Sequence, residues 1–336
     1  MPDRHTEVYE VATAQHPAAR AWTQVGGGMS DLRSVVLLDR LNVNLRKSAV
    51  YRLEGVGESG AAVIAKKCGR EPALLERTIY ELVLPNLSVP YPRFLGMASD
   101  EDGMSCWLFT EDAGNEAYSP LDPKHRARAG RWLGALHAST ISLPSNVCLP
   151  ERGPVQYLGH LRSARDAIRD NLKNPVLDEE QRRQLKQIVS TCEFVDQEWH
   201  RIDQLCGEMP QTLVHGDFVG KNVRVRNGRT ELELLPFDWE HAGRGVPAVD
   251  LAQAFSSTTF LANPDLDDYC ATVKWSALGF EAVRRLAFYG TIFRCLAALD
   301  WESHRLAYEW VEWPVKNMAL YGAELDRAVQ AAGWRN

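Results

Sequence analysis

A carboxylate and a carboxamide, Asp217 and Asn222, stand five residues apart in the segment 215–222 (HGDFVGKN), and Asp238 follows sixteen residues after Asn222. Phosphoryl transfer from a nucleotide requires one carboxylate that receives the proton of the acceptor hydroxyl and two oxygen ligands for Mg²⁺. We therefore take Asp217 as the candidate base, and Asn222 and Asp238 as the candidate metal ligands. Lys221, next to Asn222, could neutralise charge on the moving phosphoryl group.

The elements that must position these side chains read as short β-strands. Residues 212–214, 223–225 and 231–237 are rich in β-branched and apolar residues. The predicted loop between the first two would carry Asp217 and Asn222, and loops between strands can present such groups to a cleft. An isolated Asp-x4-Asn pattern is more often a simple turn. Here His-Gly precedes the pattern and Asp-Trp-Glu follows it, and this order of segments argues against a simple turn.

The rest of the chain divides into a β-rich part and a helical part. Short β-runs, interrupted by one helical pattern at 71–84, occupy the chain up to about residue 110; they are 34–40, 49–54, 61–67 and 106–110. After residue 122 the periodicity becomes mostly helical, at 124–138, 158–172 and 178–205. We predict an α+β fold with two lobes, residues 1–113 and 114–336, and ligands commonly bind between such lobes.

Composition narrows the class of protein. The 336 residues are 45% hydrophobic and 24% charged, no apolar run approaches the roughly 20 residues that a membrane span needs, and the N-terminus lacks the apolar core of a signal peptide. Seven scattered cysteines without a Cys-x-x-Cys pair favour free thiols in a reducing cytosol. The net charge of −6 argues against nucleic acid as a partner. We expect a cytoplasmic protein without a membrane partner; the sequence does not determine its oligomeric state.

The motif residues resemble a known family. His-Gly-Asp-x4-Asn ending at Asn222, Asp-Trp-Glu beginning at Asp238, and Asp-Leu-Ala beginning at Asp250 are similar to the signature of the aminoglycoside phosphotransferase and choline kinase-like family, over about residues 35–260. The resemblance implies a bilobal protein-kinase-like fold, with a small antiparallel sheet in the N-terminal lobe and helices in the C-terminal lobe. It also implies that Asp217 is the catalytic Asp, that Asn222 and Asp238 bind the metal, and that Asp250 braces the catalytic loop.

The N-terminal part contains a candidate pair for the nucleotide phosphates. Val-Ile-Ala-Lys ending at Lys66 resembles the strand whose Lys holds the α- and β-phosphates. Lys67 follows, and strand alternation sends only one of the two lysines toward the cleft; the resemblance favours Lys66. Glu76, ten residues later on a helical pattern, could pair with it. The alternatives are an exposed strand lysine and a surface carboxylate.

The other nucleotide contacts carry weaker patterns. Residues 55–60 are a literal G-x-G-x-x-G, but no helix follows, so we interpret them as a hairpin turn. The phosphate-covering turn is assigned instead to residues 44–48, where Arg46, Lys47 and the Ser48 hydroxyl could replace bare backbone amides. By resemblance, residues 107–114 form the interlobe hinge, and Glu111 and Ala113 would offer backbone groups to a purine edge. The alternative is an ordinary strand that ends in a turn.

Histidines and the C-terminal third complete the set of expectations. His215 is expected to fasten the loop by hydrogen bonds, and His137 to be a satisfied core residue. Residues 231–336 hold 15 acidic and 9 basic residues, an excess that could attract a cationic acceptor or could be a solvated surface. Trp310 and Trp313 are three residues apart on a helical pattern, and aromatic residues at such spacing are more often core residues; alternatively, the two could stack on a ligand. The following proline is expected to end or bend their helix.

Together these patterns predict a phosphotransferase that uses ATP or GTP and Mg²⁺ to phosphorylate a hydroxyl group of a small molecule. An antibiotic acceptor of the aminoglycoside, macrolide or nucleoside type, as in a resistance kinase, is the leading expectation. A cellular metabolite such as choline or a sugar is the alternative. A protein kinase is disfavoured because Asp-Trp-Glu replaces Asp-Phe-Gly. A catalytically silent nucleotide-binding scaffold would be expected to have lost at least one of these motif residues.

Overall fold

The computed structural model describes residues 13–29, 31–38, 48–101, 103–143, 147–228, 231–254, 261–262, 264–275 and 279–335. The chain forms two compact units. The first comprises Met1–Glu116 and Arg224–Glu240, and the second comprises Ala117–Val223 and His241–Asn336. The segment that carries Asp238 thus returns to the first unit, although it lies late in the sequence. The lobe boundary predicted after residue 113 stays a prediction.

A five-stranded antiparallel sheet forms the first unit. Its spatial order is β1-β2-β3-β5-β4, and its strands are β1 (Ser34–Leu37), β2 (Ser48–Glu54), β3 (Val63–Gly69), β4 (Phe94–Ser99) and β5 (Ser105–Glu111). Helix α1 (Pro17–Gln24) packs Trp22 against Phe109 of the sheet, with ring centroids 5.2 Å apart. Strand β3 is central, so Lys66 has neighbours on both sides, Val50 and Leu108. A central strand fixes the lysine's backbone more firmly than an edge strand would.

The turn and helix that flank β3 follow local rules. Gly55 and Gly60 both have positive φ, +91° and +79°, which glycine adopts without strain, in the connection between antiparallel β2 and β3. The predicted hairpin turn is therefore confirmed. After β3 the chain enters helix α2 (Arg70–Thr78), which continues as a wider π-helical turn over Ile79–Val83. A π-turn shifts the register of the following residues, which is why the predicted helix does not run evenly to residue 84.

Helices dominate the second unit. They are α3 (Pro123–Ser139), α4 (Pro154–Asn171), α5 (Glu179–Gln197), α6 (His200–Gly207), α7 (Leu266–Val273), α8 (Phe280–Ser303) and α9 (Glu312–Ala331). Asp178 caps α5 in a reciprocal capping box with Gln181, as its position predicted. The long helix expected over 178–205 is instead α5 and α6, because the chain leaves the helical geometry at Glu198.

Short strands complete the two units. In the second unit β6 (Thr212–Val214) pairs with β9 (Gly243–Gly245), and β10 (Gln253–Ala254) pairs with β11 (Leu261–Ala262). Strands β7 (Val223–Asn227) and β8 (Leu232–Pro236) form a further two-stranded sheet. The strand–loop–strand arrangement predicted around the candidate base is therefore present, with β6 before the loop and β7 after it.

The prediction for the C-terminal tryptophans is wrong. Pro314 neither ends nor bends a helix; it lies in the first turn of α9, where its missing N–H leaves no helical hydrogen bond unmade. Trp310 lies before this helix and stacks on Tyr308, with ring centroids 5.2 Å apart. Trp310 and Trp313 are each 62% exposed, so neither is a core residue.

Helix hydropathy and the state of the cysteines bear on two expectations from composition. In the parts of the chain that are described, every helix is too short or too polar to cross a membrane. All seven cysteines are free thiols; most are buried, whereas Cys148 is exposed and Cys270 is half-buried.

Candidate active site

The loop that carries Asp217 is shaped by a glycine in the second unit. Strand β6 is fully buried, and the chain then turns at Gly216, where φ is +78°. A Cβ atom on Gly216 would lie 2.2 Å from the carbonyl oxygen of His241, so a larger residue would force the two segments apart. The glycine of the His-Gly-Asp motif therefore lets the loop pass close to the 241 backbone and brings Asp217 into a buried position.

Asp250 holds this loop through hydrogen bonds. Its carboxylate accepts hydrogen bonds from the backbone amides of His215, at 2.8 Å, and Gly216, at 2.9 Å. His137 lies 3.2 Å from the same carboxylate through Nε2, and its Nδ1 lies 3.0 Å from the Tyr269 hydroxyl. The bracing role expected for Asp250 and the satisfied core position expected for His137 both agree with this network.

Asp217 is a buried carboxylate with three cationic or amide partners. Arg294 donates to Oδ1 at 2.6 Å, Asn222 donates to Oδ2 at 2.9 Å, and the Lys221 ammonium lies 3.1 Å from Oδ2. Burial alone would raise the pKa of Asp217, but Arg294, then Lys221 and His241, lower this pKa well below its usual value. The carboxylate is therefore ionised at neutral pH and oriented on both oxygens.

Asn222 is arranged to use its two ends differently. Its side-chain nitrogen donates to the backbone oxygen of Asp217 at 3.0 Å and to the Asp217 carboxylate. Both amide hydrogens are thereby used, which leaves the carbonyl oxygen of this buried side chain for a different ligand. An oxygen donor of this kind suits hard Mg²⁺. Asn222 thus fits the metal-ligand role that the sequence predicted, which itself stays a prediction.

In the first unit, Lys66 is surrounded by carboxylates. Its ammonium contacts Glu76 at 2.5 Å, bonds to Asp238, and lies 3.8 Å from Glu240. Burial would lower the pKa of Lys66, but these three carboxylates together raise it well above its usual value. Lys66 and Glu76 are ion-paired, as the resemblance implied, whereas Lys67 instead contacts Asp100, at 2.5 Å.

The carboxylates around Lys66 fit a divalent cation. One oxygen each of Glu76, Asp238 and Glu240 lie within 4.8 Å of one another. Three carboxylates face one ammonium, and the excess negative charge together with hard oxygen donors suits Mg²⁺. Asp238 has φ of +68°, a value uncommon for a residue other than glycine. Such backbone conformations persist where the surrounding structure enforces them, which often happens at functional sites.

The other residues predicted to contact the nucleotide differ in how well their positions suit that role. Arg46 and Lys47 lie outside the described residues, and Ser48 begins β2 in a half-buried position. The Glu111 amide already donates to the Arg93 carbonyl at 2.9 Å, so it does not offer its N–H to a purine. The buried Ala113 amide, by contrast, has no acceptor among the residues that the structure describes. Of the hinge amides, Ala113 is the better candidate.

Sequence reasoning missed three charged residues of these clusters. Glu240 was part of the quoted Asp-Trp-Glu motif but received no role. Arg294 is the lone charged residue in the run 286–299, and a charge in an apolar helix is a detectable signal of a buried partner. Arg152 follows no motif and comes to notice only through its contact with the His241 backbone, at 3.0 Å.

Comparisons with known proteins agree with this geometry. Residues 48–287 match a family described as the phosphotransferase enzyme family. No curated protein matches the chain in sequence. Among solved structures, the chain is similar to the GDP complex of wild-type aminoglycoside 2'-phosphotransferase-IIIa (TM-score 0.60, 14% identity, covering 91% of this chain and 96% of that one).

Two further solved structures are similar over most of their length. They are choline kinase from Cryptosporidium parvum Iowa II (TM-score 0.57, 10% identity, covering 91% and 92%) and a microcompartment-associated aminopropanol kinase (TM-score 0.58, 14% identity, covering 92% and 94%). At these identities the likeness concerns the fold. The predicted α+β fold, with an antiparallel sheet in one lobe and mostly helices in the other, is confirmed.

Proposed function

Because the chain belongs to the phosphotransferase enzyme family and is a small-molecule kinase, we propose that it transfers the γ-phosphoryl group of ATP or GTP, with Mg²⁺, to a hydroxyl group of a small molecule. The single observation that carries the nucleotide part of this proposal is the Lys66 cluster. Lys66 and Asp238, which belong to two separately recognised motifs 172 residues apart, bond to each other in the first unit. Two unrelated residues so far apart in the sequence would not be expected to form this bond by chance.

Each motif residue has a role in this proposal. Lys66, oriented by Glu76, binds the α- and β-phosphates, and the Ala113 amide binds the purine edge. Asn222 and Asp238 hold Mg²⁺, which when bound neutralises phosphate charge. Lys221, whose side chain is 59% exposed and lies beside Asp217, neutralises charge on the transferred group.

Asp217 serves as the base of the proposed reaction. A carboxylate whose pKa is depressed is a weak proton acceptor, so its main contribution is to orient the acceptor hydroxyl and to take its proton late in the transfer. No covalent enzyme intermediate is needed, since positioning and charge neutralisation supply most of the catalysis in phosphoryl transfer. Asp217 is buried, and both of its carboxylate oxygens accept hydrogen bonds, which supports this orienting role.

The acceptor class remains part of the proposal. An antibiotic and a cellular metabolite such as choline or a sugar are the two classes proposed. The similar structures include kinases named for an aminoglycoside, for choline and for aminopropanol, so they support a small hydroxylated acceptor without favouring one class. Antibiotic resistance would follow only from the first class.

Release of ADP or GDP, measured with and without a broad panel of alcohols, tests the function. We expect at least one alcohol to stimulate release in the wild type, and Asp217→Asn to lower that rate by about 10²–10⁴-fold while nucleotide binding is retained. Asp166→Asn is the matched control, since Asp166 is an exposed, ion-paired aspartate.

Two results would contradict these assignments. Wild-type turnover in Asp217→Asn would show that Asp217 is not the base. Nucleotide binding without stimulation by any alcohol, together with co-purification of a protein partner, would favour a silent scaffold.

A further inference from the structure

Two arginines of the second unit contact the candidate base or the backbone next to its loop, and no motif assigns either of them. Arg294, on α8, donates to Asp217 through Nη1. Its side chain is only 12% exposed, and its buried Nε atom has no hydrogen-bond partner among the described residues. The guanidinium lies over the Trp301 ring, 5.4 Å from the centroid. Asp217 therefore uses part of the guanidinium and leaves further N–H donors for another group.

Arg152 is a half-buried cation without an acidic partner. Its Nε donates to the His241 carbonyl at 3.0 Å, and within the described part of the chain no carboxylate lies within ion-pair distance of it. Burial lowers the pKa of Arg152, with only the Tyr157 phenol opposing that effect. Some other arginines of the unit have carboxylate partners; Arg165, for example, contacts both Asp166 and Asp196. A partly desolvated guanidinium without a counter-charge is unfavourable unless a ligand supplies one.

The two arginines belong to one cluster. The ring of His241, whose carbonyl Arg152 binds, contacts the Trp301 ring in a tilted arrangement with centroids 5.3 Å apart, and Trp301 lies under Arg294. Both guanidiniums also act electrostatically on the Tyr157 phenol. A chain of contacts therefore runs from Arg152 through the backbone and ring of His241 and the ring of Trp301 to Arg294, which contacts Asp217.

Three acidic residues in the described part of the unit, Asp250, Asp300 and Glu302, have partners outside this cluster. Asp250 is 1% exposed, and its oxygens are used by two backbone amides and His137. Asp300 contacts His160 at 2.7 Å and His304 at 3.2 Å. Glu302 contacts Arg305 and Asn317. These three acidic residues are thus already paired, while the charged groups that contact Asp217, Arg294 and Lys221, are cationic.

We propose that the acceptor is an anionic alcohol, in which a carboxylate or phosphate ester lies a few bonds from the reacting hydroxyl, and that Arg152 and Arg294 bind this anionic group. The planar guanidinium fork matches both kinds of oxyanion. In the reaction the hydroxyl oxygen forms a bond to the γ-phosphorus, the bond to the nucleoside diphosphate oxygen breaks, and the hydroxyl proton passes to Asp217. This inference rests on the proposed function and narrows its acceptor class.

Matched pairs of acceptors test the inference at constant ionic strength. Glycerate is compared with glycerol, gluconate with glucose, and ribose 5-phosphate with ribose, while choline and kanamycin represent cationic alcohols. We expect the anionic member of at least one pair to exceed its neutral partner in kcat/KM by about 10- to 100-fold. The carboxylate and phosphate pairs distinguish the two kinds of anion. Turnover of choline or kanamycin without turnover of any anionic alcohol would overturn the inference and leave the proposed function standing.

Variants of Arg152 separate anion binding from general structure. Arg152→Ala should raise KM for the anionic acceptor by about 10- to 100-fold with little change in KM for the nucleotide, and Arg152→Lys should recover part of the loss. The control is Arg162→Ala, which removes an equal charge from α4, where Arg162 contacts Asp196. Equal KM values for the anionic acceptor in the wild type and Arg152→Ala would contradict the assignment.

Anion binding can also be measured without turnover. Malonate and inorganic phosphate are titrated into protein that is saturated with a non-hydrolysable nucleoside triphosphate and Mg²⁺, and the thermal midpoint is followed. We expect saturable stabilisation by at least one anion that Arg152→Ala loses and Arg162→Ala keeps. Absence of saturable binding by either anion would overturn the inference. Arg152-dependent binding without turnover of any alcohol would instead contradict the proposed function, while the anion site would stand.

Discussion

Asp217 and Arg294 form an ion pair in which the base and its partner are both largely withdrawn from water. The two side chains are 3% and 12% exposed, and the carboxylate accepts further bonds from Lys221 and Asn222. Breaking such a pair from one side leaves an uncompensated charge, whereas replacing both partners removes the desolvation cost as well. Position and protonation of the base therefore depend on a residue outside the catalytic motif.

Asp217→Asn should lower the free energy of unfolding by about 3–5 kcal/mol, because Arg294 then remains buried without its counter-charge. Adding Arg294→Met to this variant should recover at least half of the loss. Urea denaturation of the wild type, both single variants and the double variant measures this in a double-mutant cycle. A double variant less stable than Asp217→Asn would show that the ion pair is not the source of the effect.

The same pair predicts a pH dependence. The pKa of Asp217 is lower in the folded state than its usual value of 3.8, so the folded state binds this proton less readily than the unfolded state does. The stabilisation is therefore fully present above about pH 5 and decreases as pH falls through 4 and below. In Asp217→Asn this contribution is absent at every pH, so the difference in unfolding free energy between the two proteins should shrink on acidification.

Helix α8 connects the two supports of the catalytic loop. It carries Arg294, and one turn earlier Gly290 packs against the short turn Pro247–Asp250. A Cβ atom on Gly290 would lie 2.0 Å from the Ala248 carbonyl oxygen, a backbone atom that cannot rotate away. The absence of a side chain at this position thus fixes the distance between α8 and the turn that ends at Asp250.

Gly290→Ala should therefore destabilise the protein by about 1–3 kcal/mol and lower kcat, since it displaces the turn that positions Asp250. Gly159→Ala on α4 is the matched control, because nothing lies within 4 Å of its added Cβ and the alanine should stabilise that helix by up to about 1 kcal/mol. Thermal melts and steady-state rates of both variants provide the comparison. Equal stability of Gly290→Ala and the wild type would mean that α8 is not in fixed contact with this turn.

At the scale of the molecule, the candidate nucleotide groups and the candidate base belong to different compact units. Lys66, Glu76 and Asp238 lie in the first unit, and Asp217 and Asn222 lie in the second. A ligand that binds only the folded protein raises the free energy of unfolding with the logarithm of its concentration relative to Kd. Nucleotide binding by the first unit should accordingly be detectable without any acceptor.

ATP or GTP with Mg²⁺ should raise the unfolding free energy by about 2.7 kcal/mol at a concentration of 100 Kd. Chelation of Mg²⁺ by EDTA should remove most of the resulting shift in the thermal midpoint, since phosphate charge then faces the carboxylates around Lys66 without a cation. Lys66→Met should lose the shift, and Lys67→Met, whose lysine contacts Asp100 instead, should keep it. The comparison is made within each variant, with and without nucleotide, so a lower midpoint of the unliganded variant does not affect it. A full shift in Lys66→Met would exclude Lys66 from the nucleotide site.

The sequence by itself determined those structural features that depend only on neighbouring residues in the chain. Strands β2, β3 and β5 follow from short β-branched runs, and the capping box of α5 follows from Asp178 and Gln181 at the required spacing. The Lys66–Glu76 pair could be predicted through the resemblance to the family, since the residues alone left an exposed lysine and a surface carboxylate as alternatives. The predicted boundaries failed where geometry is not periodic, as at the π-turn after α2 and at Pro314.

Only the tertiary structure decided which charges surround the base. Arg294 lies 77 residues from Asp217 in sequence, and Arg152 lies 89 residues from the His241 carbonyl that it binds. Helical periodicity shows that α8 is apolar, but it does not specify which loop that helix will pack against or which of its side chains will meet a carboxylate. Packing of α8 placed Arg294 on Asp217, and packing of the segment before α4 placed Arg152 on the His241 carbonyl, although the C-terminal third is acidic overall.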